Sequence, residues 1–498
     1  MIFLKTISLC PVCLEKIDAE VFEDENRILI EKECPNHGKF RDIYWNDVES
    51  YKKYLEYDYL GNGMKNTNVE FKNGCPFDCG LCGNHKSTTI LANIDVTNRC
   101  NLNCPVCFAN ANRTKMVYEP SLEEIRKMMV NLRNEDIPCP AIQFAGGEPT
   151  VRDDLPEIIK MAKELGFVHV QVATNGIKLK NIEYIKKLKE SGLSTIYLQF
   201  DGVTEKPYLA ARNRNLLPLK LKVIENCEKA DFNSVSLVPT LLKGVNHDQI
   251  GDILRFAVEH RNVVRNVNFQ PVSFTGRIDE TKRLEQRITI PDFVHYVEEQ
   301  TFGEISKEDF YPIPFVVPFS ISAEIWENQP VIKLSSHPHC GVATYLFIEN
   351  GKILPITRFF DVKGFRELLD STFNEYLGKN GELSHLEKGK VILKISKELP
   401  RLIDSKKVPS DVKFKETLVK ILKGDRSALS KFHFNTILTS CMHFMDPYNF
   451  DSRRVQRCLI HYALPDNRII PFCTYNTLYR KEIEDKYSIP LEEWKNKH

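Results

Sequence analysis

The sequence predicts an α/β protein: a partial (β/α)6 barrel, with a small metal-binding module ahead of it and a cysteine-bearing domain behind. Three observations predict it. β-rich runs alternate with amphipathic helical runs between about 88 and 275. The turns "LCPVC" and "ECPNHG" place Cys10, Cys13, Cys34 and His37 in two paired halves near the N-terminus. Cys340, Cys441, Cys458 and Cys473 are spread over the last third. The expected division is 1–70 for the N-terminal metal-binding module, 71–87 for a second cysteine segment, 88–300 for the barrel and 301–498 for the C-terminal domain.

The barrel strands are expected at "ANIDVT" (92–97), "AIQFAGG" (141–147), "HVQVATNG" (169–176), "STIYLQFDG" (194–202), "SVSLVPTLL" (234–242) and "NVNFQPVS" (266–273). Helices lie between them. "SLEEIRKMMVNLRNE" opens on a Ser121/Glu124 capping box and lines up Leu122, Ile125, Met128, Met129 and Leu132 on one face. "DLPEIIKMAKELGF" has Pro156 near its start and Gly166 past its end, and "NIEYIKKLKESG" stops at Gly192. Such alternation implies parallel pairing through right-handed crossovers. Chemistry in these sheets sits at the carboxyl ends of the strands, and the glycine-rich and polar motifs of this chain follow strand ends.

Bulk properties narrow the function classes. A net charge of +1 over 498 residues gives no electrostatic footprint for nucleic acid. Apolar stretches such as "FVVPFSISAEIW" (315–326) fall short of the ~20 residues that cross a bilayer. The start "MIFLKTISLCPVC" runs into a cysteine pair without a cleavage signature, so a cytoplasmic protein is expected. Most of the 15 cysteines fall in tight groups, which favours metal binding over a disulfide scaffold.

The cysteine groups differ in what they can hold. Cys10, Cys13, Cys34 and His37 suit one tetrahedral iron or zinc, in the manner of rubredoxins and zinc ribbons. Cys75, Cys79 and Cys82 precede the first strand and need a fourth ligand; Cys139, at the amino end of the second strand, is the preferred one and His85 its rival. Cys227 reads as a buried free thiol. Cys340, Cys441, Cys458 and Cys473 are enough for one closed [4Fe–4S] cube. Cys100, Cys104 and Cys107 follow the first strand; three thiolates hold three irons of a cube and leave the fourth open. An open iron suits a chelating methionine moiety.

With that loop, "GGEP" (Gly146, Gly147, Glu148, Pro149) after the second strand, "TNG" with Asn175 after the third and "QFDG" with Gln199 and Asp201 after the fourth, the chain resembles the radical S-adenosylmethionine (SAM) superfamily. The resemblance implies a radical SAM barrel that cleaves SAM reductively to a 5′-deoxyadenosyl radical. Cys100, Cys104 and Cys107 would hold the cluster beside Phe108, and Glu148 would offset the SAM ammonium. Asn175, Gln199 and Asp201 would contact its ribose or carboxylate, Arg212 resembles by position the superfamily's arginine after the fourth strand in the cofactor site, and Phe269 and Gln270 would meet the adenine. Cys340 with the hairpin-like "ATYLFIENGKILPI" resembles the opening of a SPASM-like auxiliary iron–sulfur domain.

Over nearly its whole length the chain is similar to the archaeal tetraether lipid synthase family. That similarity implies joining the terminal carbons of two saturated isoprenoid tails of a glycerol diether phospholipid, with two SAM consumed per bond. It implies two auxiliary [4Fe–4S] clusters besides the mononuclear iron or zinc, with Cys473 in the one that captures an alkyl radical. An electron donor such as ferredoxin and peripheral contact with a membrane surface complete the expectation. "YPIPFVVPFSISAEIW" (311–326) would line an apolar tunnel, and Arg277, Lys282, Arg453 and Arg454 would hold head groups. The alternative is a radical SAM methyltransferase acting on a pterin of methanopterin biosynthesis. It would need a second SAM as methyl donor and a polar pocket for a planar ring. A third class, a closed-cluster electron carrier, would make no deoxyadenosine from SAM.

Overall fold

The computed structural model describes residues 2–377, 382–410, 412–422 and 425–497. The chain begins with four antiparallel strands paired in sequence order: β1 (Ile2–Leu9), β2 (Lys16–Asp24), β3 (Arg27–Cys34) and β4 (Gly38–Trp45). Alternate residues of β2 are buried and β3 buries Ile28, Leu29 and Ile30 in a row, so Ala19, Val21, Ile28 and Ile30 form an apolar face under the sheet. α1 (Val48–Leu55) follows, capped by Asp47, which accepts from Ser50 N at 2.6 Å.

The barrel strands appear where expected: β5 (Leu91–Thr97), β6 (Ala141–Gly146), β7 (His169–Thr174), β8 (Thr195–Gln199), β9 (Val235–Val238) and β10 (Val264–Pro271). They pair in parallel in the order β10-β9-β8-β7-β6-β5. Helices cover the outside. The first, α2 (Leu122–Arg133), is closed by the expected capping box: Glu124 N donates to Ser121 Oγ at 3.2 Å and Ser121 N to Glu124 Oε2 at 2.7 Å. Its Ile125, Met128, Met129 and Leu132 meet Ala92, Ile94, Ile142 and Phe144 in the main core. Each such side chain, once buried, contributes about 1.5–3 kcal/mol.

The C-terminal third is less separate than the sequence suggests. β11 (Gly341–Glu349) pairs antiparallel with β12 (Ile437–Met442), and β12 joins the edge of β10 in parallel. β13 (Ile460–Ala463) joins the opposite edge, parallel to β5, and carries β14 (Ile469–Pro471) beyond it. Six parallel strands thus become eight. "ILTSCM" and "IHYA" are short and mixed in polarity, and no strand–helix repeat flags them.

The segment 311–326 does not line a tunnel. It folds into a turn and the helix Val317–Glu327, which packs on the helix Val362–Phe373, and of its residues Ile313 reaches the barrel interior. Among the described residues, no helix is long and apolar enough to cross a membrane.

Candidate functional site

The carboxyl ends of the barrel strands open onto a cavity of about 550 Å³. Cys100, Cys104, Cys107 and Phe108 form one wall, on the loop after β5. Burial pushes the Cys100 thiol up to about 12 and raises that of Cys104, so a metal entering here must displace protons. Arg277 clasps the loop: its Nε donates to Cys104 O at 2.6 Å, its Nη1 to Ala111 O at 3.1 Å, and its backbone exchanges bonds of 2.9 Å with Cys107. The neighbouring Gly276 has φ +78°, and a Cβ there would stand 2.5 Å from the Cys107 carbonyl. Arg277 therefore braces the cysteines, not a lipid head group.

The glycine motif is equally close-packed. Gly146 has φ +124°, and a Cβ would meet the Thr97 carbonyl at 2.0 Å. Glu148 is buried. Its Oε1 accepts from Thr150 Oγ1 at 2.6 Å and Thr174 Oγ1 at 2.7 Å, and its Oε2 from Asn175 N at 2.7 Å. The carboxylate ties the β6 loop to the end of β7 while lining the cavity. Among the described residues no cation pairs with it, so its charge stays available to a cationic ligand.

Some expected contacts move. Asp201 and Arg212 bind each other bidentately at 2.8 Å, with Asp201 fully buried, so Asp201 offers nothing to a ribose. Arg212 also donates to Val106 O at 2.8 Å, which anchors the cysteine loop, and its side chain lines the cavity. Gln199 and Gln270 face the cavity as expected. Phe269 does not: alternation along β10 turns it outward onto Phe293, with ring centroids 4.9 Å apart. Asn175 lines the cavity and donates to Asn101 Oδ1 at 2.7 Å.

Two features escape sequence reasoning. Lys220 is fully buried and donates to Asn175 O at 2.6 Å and Gln199 Oε1 at 2.9 Å; burial lowers its pKa to about 7. It fixes two cavity-lining groups from behind. The barrel interior also carries a belt of carboxamides: Asn93, Gln143, Gln171, Gln199, Asn266, Asn268 and Gln270 all line the cavity. Asn93, Gln143 and Gln171 share one register level and form a chain, with Gln171 Nε2 donating to Gln143 Oε1 and Gln143 Nε2 to Asn93 Oδ1, each at 2.6 Å. Among the described residues, Asn266 Oδ1 is buried without a partner. An unmet buried acceptor costs about 1–3 kcal/mol, so this wall suits a polar ligand. The alternating polar letters of the strands were the signal that could have found it.

The other cysteines fall into distinct places. Cys10, Cys13, Cys34 and His37 bring their ligand atoms within 4.8 Å of one another, which fits a single tetrahedral ion. Cys75, Cys79, Cys82 and His85 surround one small cavity. Cys139 is elsewhere: it is buried at the foot of β6, with its Sγ 3.2 Å from Ala141 O, and does not join them. Burial raises the Cys458 and Cys473 thiols, and Cys340 stands near enough to add to both shifts, as Cys458 does to that of Cys473. Cys441 is not with them, because Ser440 and Met442 face the cavity and alternation turns Cys441 into the outer core. Arg454, expected at a lipid head group, is instead fully buried 3.5 Å from Cys340 Sγ, and among the described residues no carboxylate pairs with it. A guanidinium so placed fits a negatively charged metal–thiolate group. Cys227 is a buried free thiol of the core, as expected.

Comparison with known proteins agrees with the cysteine loop. Residues 94–257 match the radical SAM superfamily, and residues 2–46 match the HMPTM N-terminal zinc ribbon domain. The chain is 61% identical to the 7,8-dihydro-6-hydroxymethylpterin dimethyltransferase of Methanocaldococcus jannaschii, over 99% of this chain and 97% of that one. It is 36% identical to the Fe-coproporphyrin III synthase of Methanosarcina barkeri over 40% of this chain and 49% of that one. Streptococcus suis SuiB aligns in structure with a TM-score of 0.35 and 18% identity, covering 44% of this chain and 47% of that one.

The chain belongs to the radical SAM superfamily and to the family of the Methanocaldococcus protein. It is a radical SAM enzyme whose cofactors are SAM and a [4Fe–4S] cluster, and its N-terminal ribbon suits a mononuclear metal. The expected joining of lipid tails, and with it membership of the tetraether lipid synthases, is corrected: the whole-length relative is a pterin dimethyltransferase.

Proposed function

We propose that this radical SAM enzyme methylates a reduced pterin of the 7,8-dihydro-6-hydroxymethylpterin type. The observation that carries the reading is the carboxamide belt inside the barrel. A pterin is flat, with a row of amide-like donors and acceptors along one edge. Side-chain amides offer both a donor pair and an acceptor, and a site built to hydrogen-bond such an edge rejects ligands that lack it. Leu438, Met442 and Ile460 line the same cavity and supply apolar surface for the ring faces. The whole-length similarity to a pterin dimethyltransferase supports the same substrate class.

Cys100, Cys104 and Cys107 are the residues that would hold the cluster, with Glu148, Asn175, Gln199 and Arg212 around SAM and Phe108 beside the loop. When bound, the cluster and SAM together supply a 5′-deoxyadenosyl radical. The chain's own part is placement and dryness. Arg277 and Arg212 fix the cysteine loop, Lys220 fixes Asn175 and Gln199, and Phe444 with Phe472, stacked at 4.2 Å, lines the cavity beside Phe108. Cys340, Cys458 and Cys473 beside Arg454 would hold an auxiliary iron–sulfur group fed by a low-potential electron donor. The chain then divides into the ribbon at 1–70, the cysteine segment 71–87, the barrel from 88 to 300 and a C-terminal part that lends strands to it.

The test is anaerobic incubation of reconstituted protein with SAM, a strong reductant and 7,8-dihydro-6-hydroxymethylpterin. Deoxyadenosine, S-adenosylhomocysteine and a methylated pterin are expected. Deoxyadenosine with unaltered pterin would refute the substrate, and no deoxyadenosine would refute the site.

A further inference from the structure

Tyr197 stands on β8 at the register level of Asn266 on β10, since Ser236 of β9 pairs with both. Its ring leans toward the carboxyl ends of the strands, because its hydroxyl meets Asn268 and Gln270, further along β10. Asn268 Nδ2 donates to the Tyr197 oxygen, and Gln270 Nε2 does so at 2.7 Å. The Asn268 amide is held in that sense from its other contacts. Its Nδ2 also stands 3.2 Å from Met442 Sδ, which only accepts, and its Oδ1 accepts from Ser440 Oγ at 3.1 Å.

A phenol oxygen has two lone pairs and carries one hydrogen. The two amides occupy both lone pairs, so the one bond left to Tyr197 is the bond its O–H donates. Among the described residues no acceptor takes that bond. Tyr197, Asn268 and Gln270 all border the cavity of about 550 Å³, and Tyr197 keeps part of its surface open to it. Burial raises the phenol's pKa, so the hydroxyl keeps its proton. One inward-facing position deeper, Asn266 Nδ2 donates to Ser236 Oγ at 2.9 Å, while its Oδ1 has no partner among the described residues. One wall of the cavity therefore offers a free donor nearer the mouth and a free acceptor below it.

We infer that Tyr197 touches the substrate: its O–H donates to the ring carbonyl of the pterin, and Asn266 Oδ1 accepts from the 2-amino group at the other end of the same edge. The inference rests on the pterin reading and adds to it which atoms are read. It also makes Tyr197 a specificity device. A free hydroxyl can turn to accept from a ligand, but this one cannot, because Asn268 and Gln270 fill its lone pairs. A ring bearing an amino group in place of the carbonyl would set donor against donor and leave both unpaired.

The experiment is an anaerobic binding titration of the full-length, reconstituted enzyme with SAM and no reductant, followed by pterin fluorescence. The probes are 7,8-dihydro-6-hydroxymethylpterin and its counterpart with an amino group in place of the ring carbonyl. Wild type should prefer the oxo form by about tenfold or more. Tyr197→Phe keeps the ring and deletes only the hydroxyl. It should weaken the oxo form about tenfold, leave the amino form unchanged and so erase the preference. Asn266→Ala should weaken both forms alike, since both carry the 2-amino group. Neither variant should change the affinity for SAM. A Tyr197→Phe enzyme that keeps the wild-type preference, or that loses SAM instead of the pterin, would overturn the inference while the pterin reading stands. Asn266→Ala binding both forms as wild type does would overturn the acceptor's part. Wild type that cleaves SAM on reduction but binds neither probe would overturn the pterin reading and the inference together.

Discussion

The N-terminal ribbon and the barrel mouth both present cysteines on loops, yet they are built in opposite ways. The ribbon quartet comes from two turns of one small sheet, and its ligand atoms lie within 4.8 Å of one another. The Cys100, Cys104 and Cys107 loop borders a cavity of about 550 Å³ and is held by residues far away in sequence: Arg212 through Val106 and Arg277 through Cys104. A closed, local quartet suits a structural ion. An open loop braced from a distance suits a reactive group that must also admit a ligand.

The contrast can be broken most severely at the ligands. Cys104→Ala should abolish deoxyadenosine formation while the ribbon keeps its ion, as metal analysis and mass spectrometry would show. Cys13→Ser should do the reverse, with the ribbon ion lost and deoxyadenosine still formed. If Cys13→Ser silences SAM cleavage as fully as Cys104→Ala, the two regions are not independent.

The bracing comes next. Arg212→Met leaves the fully buried Asp201 without its partner, which should cost about 3–5 kcal/mol in denaturant unfolding and loosen the cysteine loop. An unchanged midpoint would show that the pair does not hold the site together.

Smaller effects come from the cavity wall. Gln171→Leu removes the buried amide hydrogen bond to Gln143, and Gln143→Leu removes that bond and the one to Asn93, each worth about 0.5–1.5 kcal/mol. They should raise KM for the pterin roughly tenfold or less and leave KM for SAM unchanged. Equal loss for both ligands would place the belt in the SAM site instead.

The gentlest comparison uses two buried lysines. Lys32 lies under the ribbon, donating to Ser8 Oγ at 2.9 Å, and Lys220 behind the barrel mouth; burial lowers both to about 7. From about pH 7 up to the ordinary lysine range, the unfolded chain holds a proton on each that the folded chain does not. Stability should therefore rise with pH across that window. Lys32→Met and Lys220→Met should each flatten part of the rise, which thermal melts at several pH values would reveal.

The sequence made the barrel legible because each strand alternates and each helix is punctuated, as at Ser121, Gly166 and Gly192. The cysteine spacings marked both metal loops for a similar reason: ligands close in sequence leave a local trace. Misplacements arose where inside and outside had to be told apart. Phe269 and Cys441 lie one residue from cavity-facing positions, and the pleat sends them to the outer core. Strand-end proximity favours Cys139 over His85, but the wall at 455–456 and 471 covers that loop from a different side. The parallel strands β12 and β13 and the grips of Arg277 and Lys220 depend on pairings hundreds or tens of residues apart, for which no local pattern exists.

The most direct measurement of the central claim is an anaerobic titration of the reconstituted enzyme with 7,8-dihydro-6-hydroxymethylpterin in the presence of SAM, followed by the pterin's own fluorescence, for the wild type and for the Gln143→Leu, Gln171→Leu double variant. Saturable binding that weakens by about tenfold or more in the double variant is the predicted result. A wild-type enzyme that cleaves SAM but does not bind the pterin, or binds it equally well without the two amides, would contradict the account.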